Sequence, residues 1–461
     1  MNKRLLIQRK ERLVRNGRSR EDQRARRLCL EALEEALAAV DPMNAVKGRL
    51  RLRRGRLFAG VFSVPMPRRI RVLAVGKASV RMFNGALTVL GEHVFSGIVV
   101  APKFETMPGL DRRFIAFRTG HPIPDGEGVV ASMHVMELIT QMEPDEMLLC
   151  LISGGASAML PAPVAGVPMA DKRTVTQRLI RSRASIHEVN TVRRHLSELK
   201  GGRLVGKCRA GRIISLIISD VPGNSLSDIG SGLTAPDPTT FHDAINVLRR
   251  FDLWNSAPPT VRNHLRRGSL GRIPDTPKPG DDEFRKVHNV IIADSNTACK
   301  AVREVLGRKR VATRILTSSV NTEAGSVGEA LASIAIESQA FGRPIKRSGA
   351  LVLGGETTVD VKGRGKGGRN QEVALAALEG IAGLNGTAIA TLGTDGIDGN
   401  SPAAGATIDG HSMGHAIQLG LLPRRFLARN DSYTFFRRLG DSIITGPTGT
   451  NVGDIYLLIR T

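Results

Sequence analysis

Aromatic residues are scarce in this 461-residue chain, with one Trp, two Tyr and fourteen Phe. Proteins that hold single-stranded nucleic acid by stacking bases on aromatic platforms need more of them. Cysteine is rarer still. Cys29, Cys150, Cys208 and Cys299 lie far apart with no C-x-x-C pair, which indicates neither a disulfide framework nor a zinc site. No stretch reaches the roughly 18 apolar residues of a membrane span. The first residues have no apolar core of the kind a secretory signal carries. A soluble protein of a reducing cytoplasm is the expectation. Phosphate-binding and calcium-binding signatures are missing too. None of the Gly-Lys pairs at 76–77, 206–207 and 365–366 completes G-x-x-x-x-G-K-[ST], and there is no H-R-D loop. The acids of Gly393-Thr-Asp-Gly-Ile-Asp-Gly399 are three apart, with no glutamate at the twelfth position, so an EF-hand is excluded.

What is present is a globular α/β composition. Hydrophobic residues make up 41% and charged residues 24%, glycine reaches 50 residues, and the length suggests two domains. Glycine-rich, aromatic-poor chains suit α/β enzymes, where glycine lets backbone approach a ligand. The net charge is +23. Residues 1–30 concentrate eleven basic groups, among them Lys3, Arg4 and Arg26, against three acidic ones. Residues 1–24 read as a solvated basic tail. No zinc-finger, RRM or KH signature accompanies it, so no specific nucleic-acid partner is expected.

Short apolar runs recur, each stopping at Gly, Ser or Asp. Ile70–Val75 ends at Gly76-Lys77, Met147–Ile152 at Ser153-Gly154-Gly155, and Ile213–Ile218 at Ser219-Asp220. In the second half, Asn289–Ala293 ends at Asp294, Ala350–Leu353 at Gly354-Gly355-Glu356, and Ala388–Leu392 at Gly393-Thr394-Asp395. Such runs predict parallel strands covered on both faces, with ligands bound at their carboxyl ends. Helical spacing predicts helices over 24–39, 175–197, 296–306, 326–339 and 371–378. The proline-bearing stretch 268–284 reads as a linker, and the domain boundary is set at 280/281.

Several segments carry chemistry. Lys77 directly follows a strand, and Asp220, Glu356 and Asp395 are expected on the same kind of edge. Phosphoryl transfer needs such cations and carboxylates together. Ser153, Gly154, Gly155 and Ser157 offer backbone amides and hydroxyls to an anion. Gly363, Gly365 and Gly368 fit G-x-G-x-x-G after a strand-like 357–362, and Lys366 and Arg369 bring positive charge to the start of the next helix. His121, in the rigid turn Gly120–Asp125, is either structural or catalytic.

The ordered set of motifs resembles the class II glycerate kinases, the family that carries the MOFRL domain. They are Val75-Gly-Lys-Ala78, Gly120-His-Pro-Ile-Pro-Asp125, Ile152-Ser-Gly-Gly-Ala-Ser-Ala158, Asn190-Thr-Val-Arg193 through Lys200-Gly-Gly202, and Ser219-Asp-Val-Pro-Gly223. Gly354-Gly-Glu-Thr-Thr358, Gly367-Gly-Arg-Asn-Gln-Glu372, Gly393-Thr-Asp-Gly-Ile-Asp-Gly399 and Thr448-Gly-Thr-Asn-Val452 complete the set. The resemblance runs from about residue 25 to the end. It implies a Rossmann-like α/β domain over 25–280, a smaller α/β MOFRL domain over 281–461, and an active site in the cleft between them.

The implied reaction moves the γ-phosphoryl group of ATP to D-glycerate, giving 2-phospho-D-glycerate. The implied catalytic residues are Lys77, Arg369, Asp220 and Glu356, the last two also as Mg²⁺ ligands. Substrate or nucleotide contacts are implied for Ser153, Gly154, Gly155, Ser157, Asn190, Arg193, Lys200, Gly367, Gly368 and Asp395. Asn224 and Leu233 depart from the family pattern at Ser219–Asn224 and Ile229–Thr234. The rival reading is an NAD(P)H-dependent hydroxypyruvate reductase, or a kinase of a related hydroxy acid. An acidic residue about 20 positions after the last glycine would mark a dinucleotide site, and here Asp395 lies 27 beyond Gly368. The sequence leaves the oligomeric state open, a homodimer included.

Overall fold

The structure, a computed structural model, describes residues 7–107 and 111–461. Lys3 and Arg4 lie outside the described residues. The chain divides into two compact units. One comprises Met1–Asp41, Asp220–Gly223 and Ala293–Thr461, and the other Pro42–Ser219 and Asn224–Ile292.

The unit formed by Pro42–Ser219 and Asn224–Ile292 opens with helix Pro42–Arg49 and an antiparallel meander of β1 (Leu50–Arg53), β2 (Arg56–Ala59) and β3 (Phe62–Pro65). Its main sheet contains β4 (Ile70–Val75), β5 (Val94–Pro102), β6 (Phe114–Thr119), β7 (Met147–Ile152), β8 (Arg212–Ile218) and β9 (Val287–Ala293), in the spatial order β6-β5-β4-β7-β8-β9. Renumbered from its first strand this is 3-2-1-4-5-6, the Rossmann arrangement. The pairings of β4 through β8 are parallel. β7 is buried at every residue, as its unbroken Met-Leu-Leu-Cys-Leu-Ile run requires between two helical layers. β4, β7 and β8 match the apolar runs to within a residue.

The other unit contains a mixed sheet of β10 (Ala312–Val320), β11 (Gly349–Gly355), β12 (Thr387–Gly393), β13 (Gly405–Asp409), β14 (Ser442–Ile443) and β15 (Asp454–Arg460), ordered β10-β11-β15-β12-β13-β14. β15 runs antiparallel between β11 and β12. The parallel pairing expected of β11 and β12 is therefore indirect: they point the same way but are separated by β15. Helices Ala324–Phe341 and Arg369–Ala377 bury Val327, Leu331, Val373 and Leu375 in a core shared with Leu351, Ile389 and Leu458.

Four sequence expectations change. Over the described residues 7–24 the basic segment is no solvated tail: Lys10–Arg15 and Arg20–Ala39 are helices, and Ile7, Leu13 and Val14 are buried. Helix Arg20–Ala39 starts at a Ser19/Asp22 capping box and buries Ala25, Leu28, Leu33 and Ala36. The helix expected over 175–197 is two, Met169–Arg181 and Ile186–His195. Arg183 adopts φ 58°, and a Ser185/Glu188 capping box restarts the helix. The stretch 268–284 is no linker, since Asp275 binds His195 (2.9 Å) and Thr276 binds Asp237 (3.0 Å), both in the Rossmann-like unit. β9 then continues that unit's sheet, so the division at 280/281 differs from the observed one, which falls at Ile292/Ala293 and also assigns 220–223 and the N-terminal helices to the second unit. Last, 357–362 forms no strand; Thr358 makes only an isolated bridge to Glu323.

Candidate active site

In a 3-2-1-4-5-6 sheet the crevice for ligands opens where the strand order reverses, between the first and fourth strands. Here those are β4 and β7, followed respectively by Gly76-Lys77 and Ser153-Gly154-Gly155. The two loops are locked to each other. The Lys77 amide donates to the Gly154 carbonyl (2.9 Å), and the buried Ser153 hydroxyl accepts from the Ala78 amide (3.0 Å). Gly76 sits at φ 120°, where a Cβ would collide with Ser153, so the lysine's placement depends on a residue without a side chain. His121 packs on Gly155, 2.8 Å from where a Cβ would stand. Burial first, then the Lys77 charge, pushes its pKa down to about 4, so it is neutral at pH 7.

Beside this edge lies a chain of side-chain hydrogen bonds. Ser157 and Ser231 share a hydroxyl contact (2.8 Å), Ser231 donates to Asn190 (2.8 Å), and Asn190 donates to Asp228 (3.2 Å). Ser231 holds φ 59° between Gly230 and Gly232, both also left-handed. Arg193 follows Asn190 by three residues on helix Ile186–His195. Lys200 is buried, and its ammonium donates to the Leu160 carbonyl. Burial, with the Arg193 charge added, lowers its pKa to about 7. Leu233 is buried in this unit. Asn224, at φ 57° after Gly223 at φ 78°, occupies a left-handed turn that asparagine tolerates well.

The remaining predicted residues belong to the other unit, and Asp220 is among them rather than with Lys77. Arg369 is the centre of this cluster. Its guanidinium donates twice to Asp454 (2.6 and 3.1 Å) and once to Glu356 (2.7 Å). Asp454 is fully buried and also accepts from Asn370 (2.9 Å) and Tyr456 (2.9 Å). Asn451 donates to Asp220 (2.9 Å). Burial drives the Glu356 pKa up to about 7; the Arg369 charge opposes this, and Asp220 and Asp454 reinforce it. Arg369 therefore grips a carboxylate bidentately in place of the phosphate grip its sequence context suggested.

Helix Arg369–Ala377 begins at Gly368 but takes its cap from elsewhere. Buried Asp398 accepts from the Asn370 and Gln371 amides (3.0 and 2.9 Å) and from the Gln371 side chain (3.0 Å). Gly367 and Gly368 let this corner close, since side chains there would meet Ser432 and Asp398. Gly363 and Gly365 likewise press against the backbone of Arg429 and Asn430. Those glycines serve backbone packing, and the loop follows a strand of the mixed sheet, outside the Rossmann-like unit. Asp395 accepts from the Ile397 amide (3.2 Å) at the end of β12.

Asp454, Asn451 and Asp398 were missed as site residues. The registers Gly355↔Asp454 and Gly393↔Asp454 explain the first. Because β15 is antiparallel, its first residue shares an edge with the last residues of β11 and β12.

Residues 28–266 match the model of a domain of unknown function, DUF4147, and residues 349–454 match the MOFRL family. The chain is 36% identical to a glycerate 2-kinase of Pyrococcus horikoshii, covering 95% of this chain and 97% of the relative. It is 35% identical to a D-glycerate 2-kinase of Thermotoga maritima over 94% and 97%. The chain belongs to the class II glycerate kinase family. The crystal structure of a Thermotoga maritima glycerate kinase superposes with a TM-score of 0.82 at 34% identity, over 94% of this chain and 99% of that one. A Pyrococcus horikoshii crystal structure gives 0.81 at 35% identity, over 95% and 98%. The fold is thus that of the glycerate kinases, a mixed α/β protein with a Rossmann-like parallel sheet and a second, mixed sheet. A family relative from Agrobacterium vitis, 37% identical over 84% of this chain and 98% of its own, carries a provisional hydroxypyruvate reductase name.

Proposed function

We propose that this chain is a glycerate 2-kinase that transfers the γ-phosphoryl group of ATP to the 2-hydroxyl of D-glycerate, yielding 2-phospho-D-glycerate and ADP. The observation that carries the reading is Lys77, fixed by backbone bonds at the switch point of a 3-2-1-4-5-6 sheet, in a chain related to glycerate 2-kinases along nearly its whole length. An ammonium held there would offset charge developing on the transferring phosphoryl oxygens. The backbone amides of Gly154 and Gly155 would receive anionic oxygens beside it.

Asp220 and Glu356 fit Mg²⁺, which takes one or two carboxylates and keeps waters and phosphate oxygens as its other ligands. Burial first, and then the Asp220 and Asp454 charges, raise Glu356, and a divalent cation would favour its charged form against both. When bound, the ion would neutralise phosphate charge. Arg369 would act mainly by holding Glu356 in place from its anchor on Asp454. The reductase alternative loses its support in the sequence, because the 363–368 glycines pack against backbone. Four buried, unpaired cysteines accord with a reducing cytoplasm. Among the described residues no helix is long and apolar enough to cross a membrane.

The test is ADP release measured with D-glycerate, tartronate and tartrate, alongside NADH consumption with hydroxypyruvate. The proposal expects ADP with D-glycerate and a flat NADH trace. NADH oxidation without ADP release would overturn it.

A further inference from the structure

Three of the buried or half-buried arginines in this protein are paired with carboxylates. Arg26 holds Asp409 and Asp441, Arg369 holds Asp454 and Glu356, and Arg194 lies 3.1 Å from Asp237. Arg193, the neighbour of Arg194, has no such partner. It is half-buried, and among the described residues no carboxylate, carbonyl or hydroxyl holds its guanidinium. Its surroundings are cationic. Lys172 and Lys200 lie close enough for its charge to depress both ammonium groups further below the level that burial sets. Those two lysines are already engaged: Lys172 donates to the Pro161 and Leu196 carbonyls (2.6 and 2.7 Å) and Lys200 to the Leu160 carbonyl. One guanidinium fork is thus left open in a positively charged, partly desolvated place. Burial pulls its own pKa down to about 10, so an anion there would relieve a standing cost.

The position of the fork follows from the helix. A long side chain lies back over the preceding turn, and residues three apart share a face, so Arg193 lies over Asn190. Asn190 is tied through Ser231 to Ser157, in the turn that follows β7. Leu160, which Lys200 grips, is three residues further along the same segment. Arg193 therefore shares a helix face with Asn190, whose hydrogen-bond chain through Ser231 ends at the Ser157 hydroxyl at the switch-point edge. A single planar fork beside neutral hydroxyls suits one monoanionic group on a small hydroxylated molecule. A polyphosphate calls for several free cations, and the two lysines here are not free.

We propose that Arg193 binds the carboxylate of the acceptor hydroxy acid, with Ser157 beside it to meet the acid's hydroxyls. The proposal rests on the kinase reading for the identity of the acid and on the geometry alone for the site. In the full-length protein, Arg193→Gln is expected to raise both the calorimetric Kd and the KM for D-glycerate on the order of a hundredfold, since removing one partner of a desolvated charge pair costs several kcal/mol. The KM for ATP is expected to hold. Discrimination between D-glycerate and its uncharged amide, glyceramide, is expected to collapse. Arg193→Lys keeps the charge without the fork; weaker D-glycerate binding at an unchanged Tm supports the proposal even if the Gln variant fails to fold. Unchanged D-glycerate affinity in either folded variant, or a rise confined to the KM for ATP, would overturn it. Arg193-dependent glycerate binding without ADP formation would sink the kinase reading and leave the subsite standing. ADP formation with intact glycerate affinity in Arg193→Gln would do the reverse.

Discussion

Arg369 looks from sequence like a free phosphate clamp, because Gly367, Gly368 and Lys366 surround it. Its guanidinium is spent on Asp454 and Glu356, neither of which lies near it in the chain. Arg369→Lys, which can satisfy one Asp454 oxygen at best, is therefore expected to lose stability as well as activity. A cost of about 3–5 kcal/mol is the range for uncovering a buried charge, and Tm by calorimetry checks it. A Tm equal to wild type would mean that Asp454 finds another partner. Glu356 gives a pH signature. Its folded pKa, about 7, lies above the ordinary 4.5, so the folded protein holds an extra proton in that window. Stability from this group is complete below about pH 4.5 and lost as pH rises toward 7. Glu356→Gln removes that loss, so its Tm relative to wild type is expected to climb between pH 5 and 8. Mg²⁺ alone is expected to raise the wild-type Tm more than that of the variant. A difference in Tm that stays flat with pH would contradict the environment assigned to Glu356.

Elements whose burial is two-sided were the most legible. β4 and β7 coincide with the apolar runs because both faces of a central parallel strand are covered, and only the half-buried Arg71 of β4 interrupts them. β6 and β10 carry exposed residues at an edge or under partial cover, and their patterns gave no continuous run. The break at Arg183 was hidden because the apolar spacing stays in phase across it. The site divided in the same way. Lys77, Ser153 and Glu356 follow strand ends and could be found by looking there. Asp454 begins its strand, and only the antiparallel insertion of β15 brings it to the same edge. Asp398 lies in a loop but caps helix Arg369–Ala377 through two backbone amides. Asp398→Asn turns one acceptor oxygen into a donor facing donors. It is expected to cost about 1–3 kcal/mol, read as a lower midpoint in urea, and to reduce turnover by loosening Arg369. An unchanged midpoint would show that the cap is dispensable.

At the scale of the whole molecule, each compact unit is assembled from separated stretches of chain. Helix Arg20–Ala39 belongs with the mixed sheet, where Arg26 reaches Asp409, Asp441 (2.8 Å) and Ser412 (2.9 Å), all buried. Composition alone read this segment as tail because it counts charges without seeing their partners. Arg26→Met leaves two buried carboxylates facing each other, and a loss of about 3–5 kcal/mol is expected from chemical denaturation. For the same reason a fragment starting at residue 281 lacks an integral helix and is expected to give no cooperative melt by circular dichroism. A sharp melt from that fragment would show that the N-terminal helices are accessory.

Phosphoryl transfer to the 2-hydroxyl of D-glycerate is decided by the identity of the phosphorylated carbon. Proton-coupled phosphorus NMR of the product from ATP, Mg²⁺ and D-glycerate separates the two monophosphates. Phosphorus at C2 couples to one methine proton, and phosphorus at C3 to two methylene protons. A doublet from 2-phospho-D-glycerate is expected, abolished in Lys77→Met. A triplet from the 3-phosphate, or no phosphorylated glycerate at all, would contradict it.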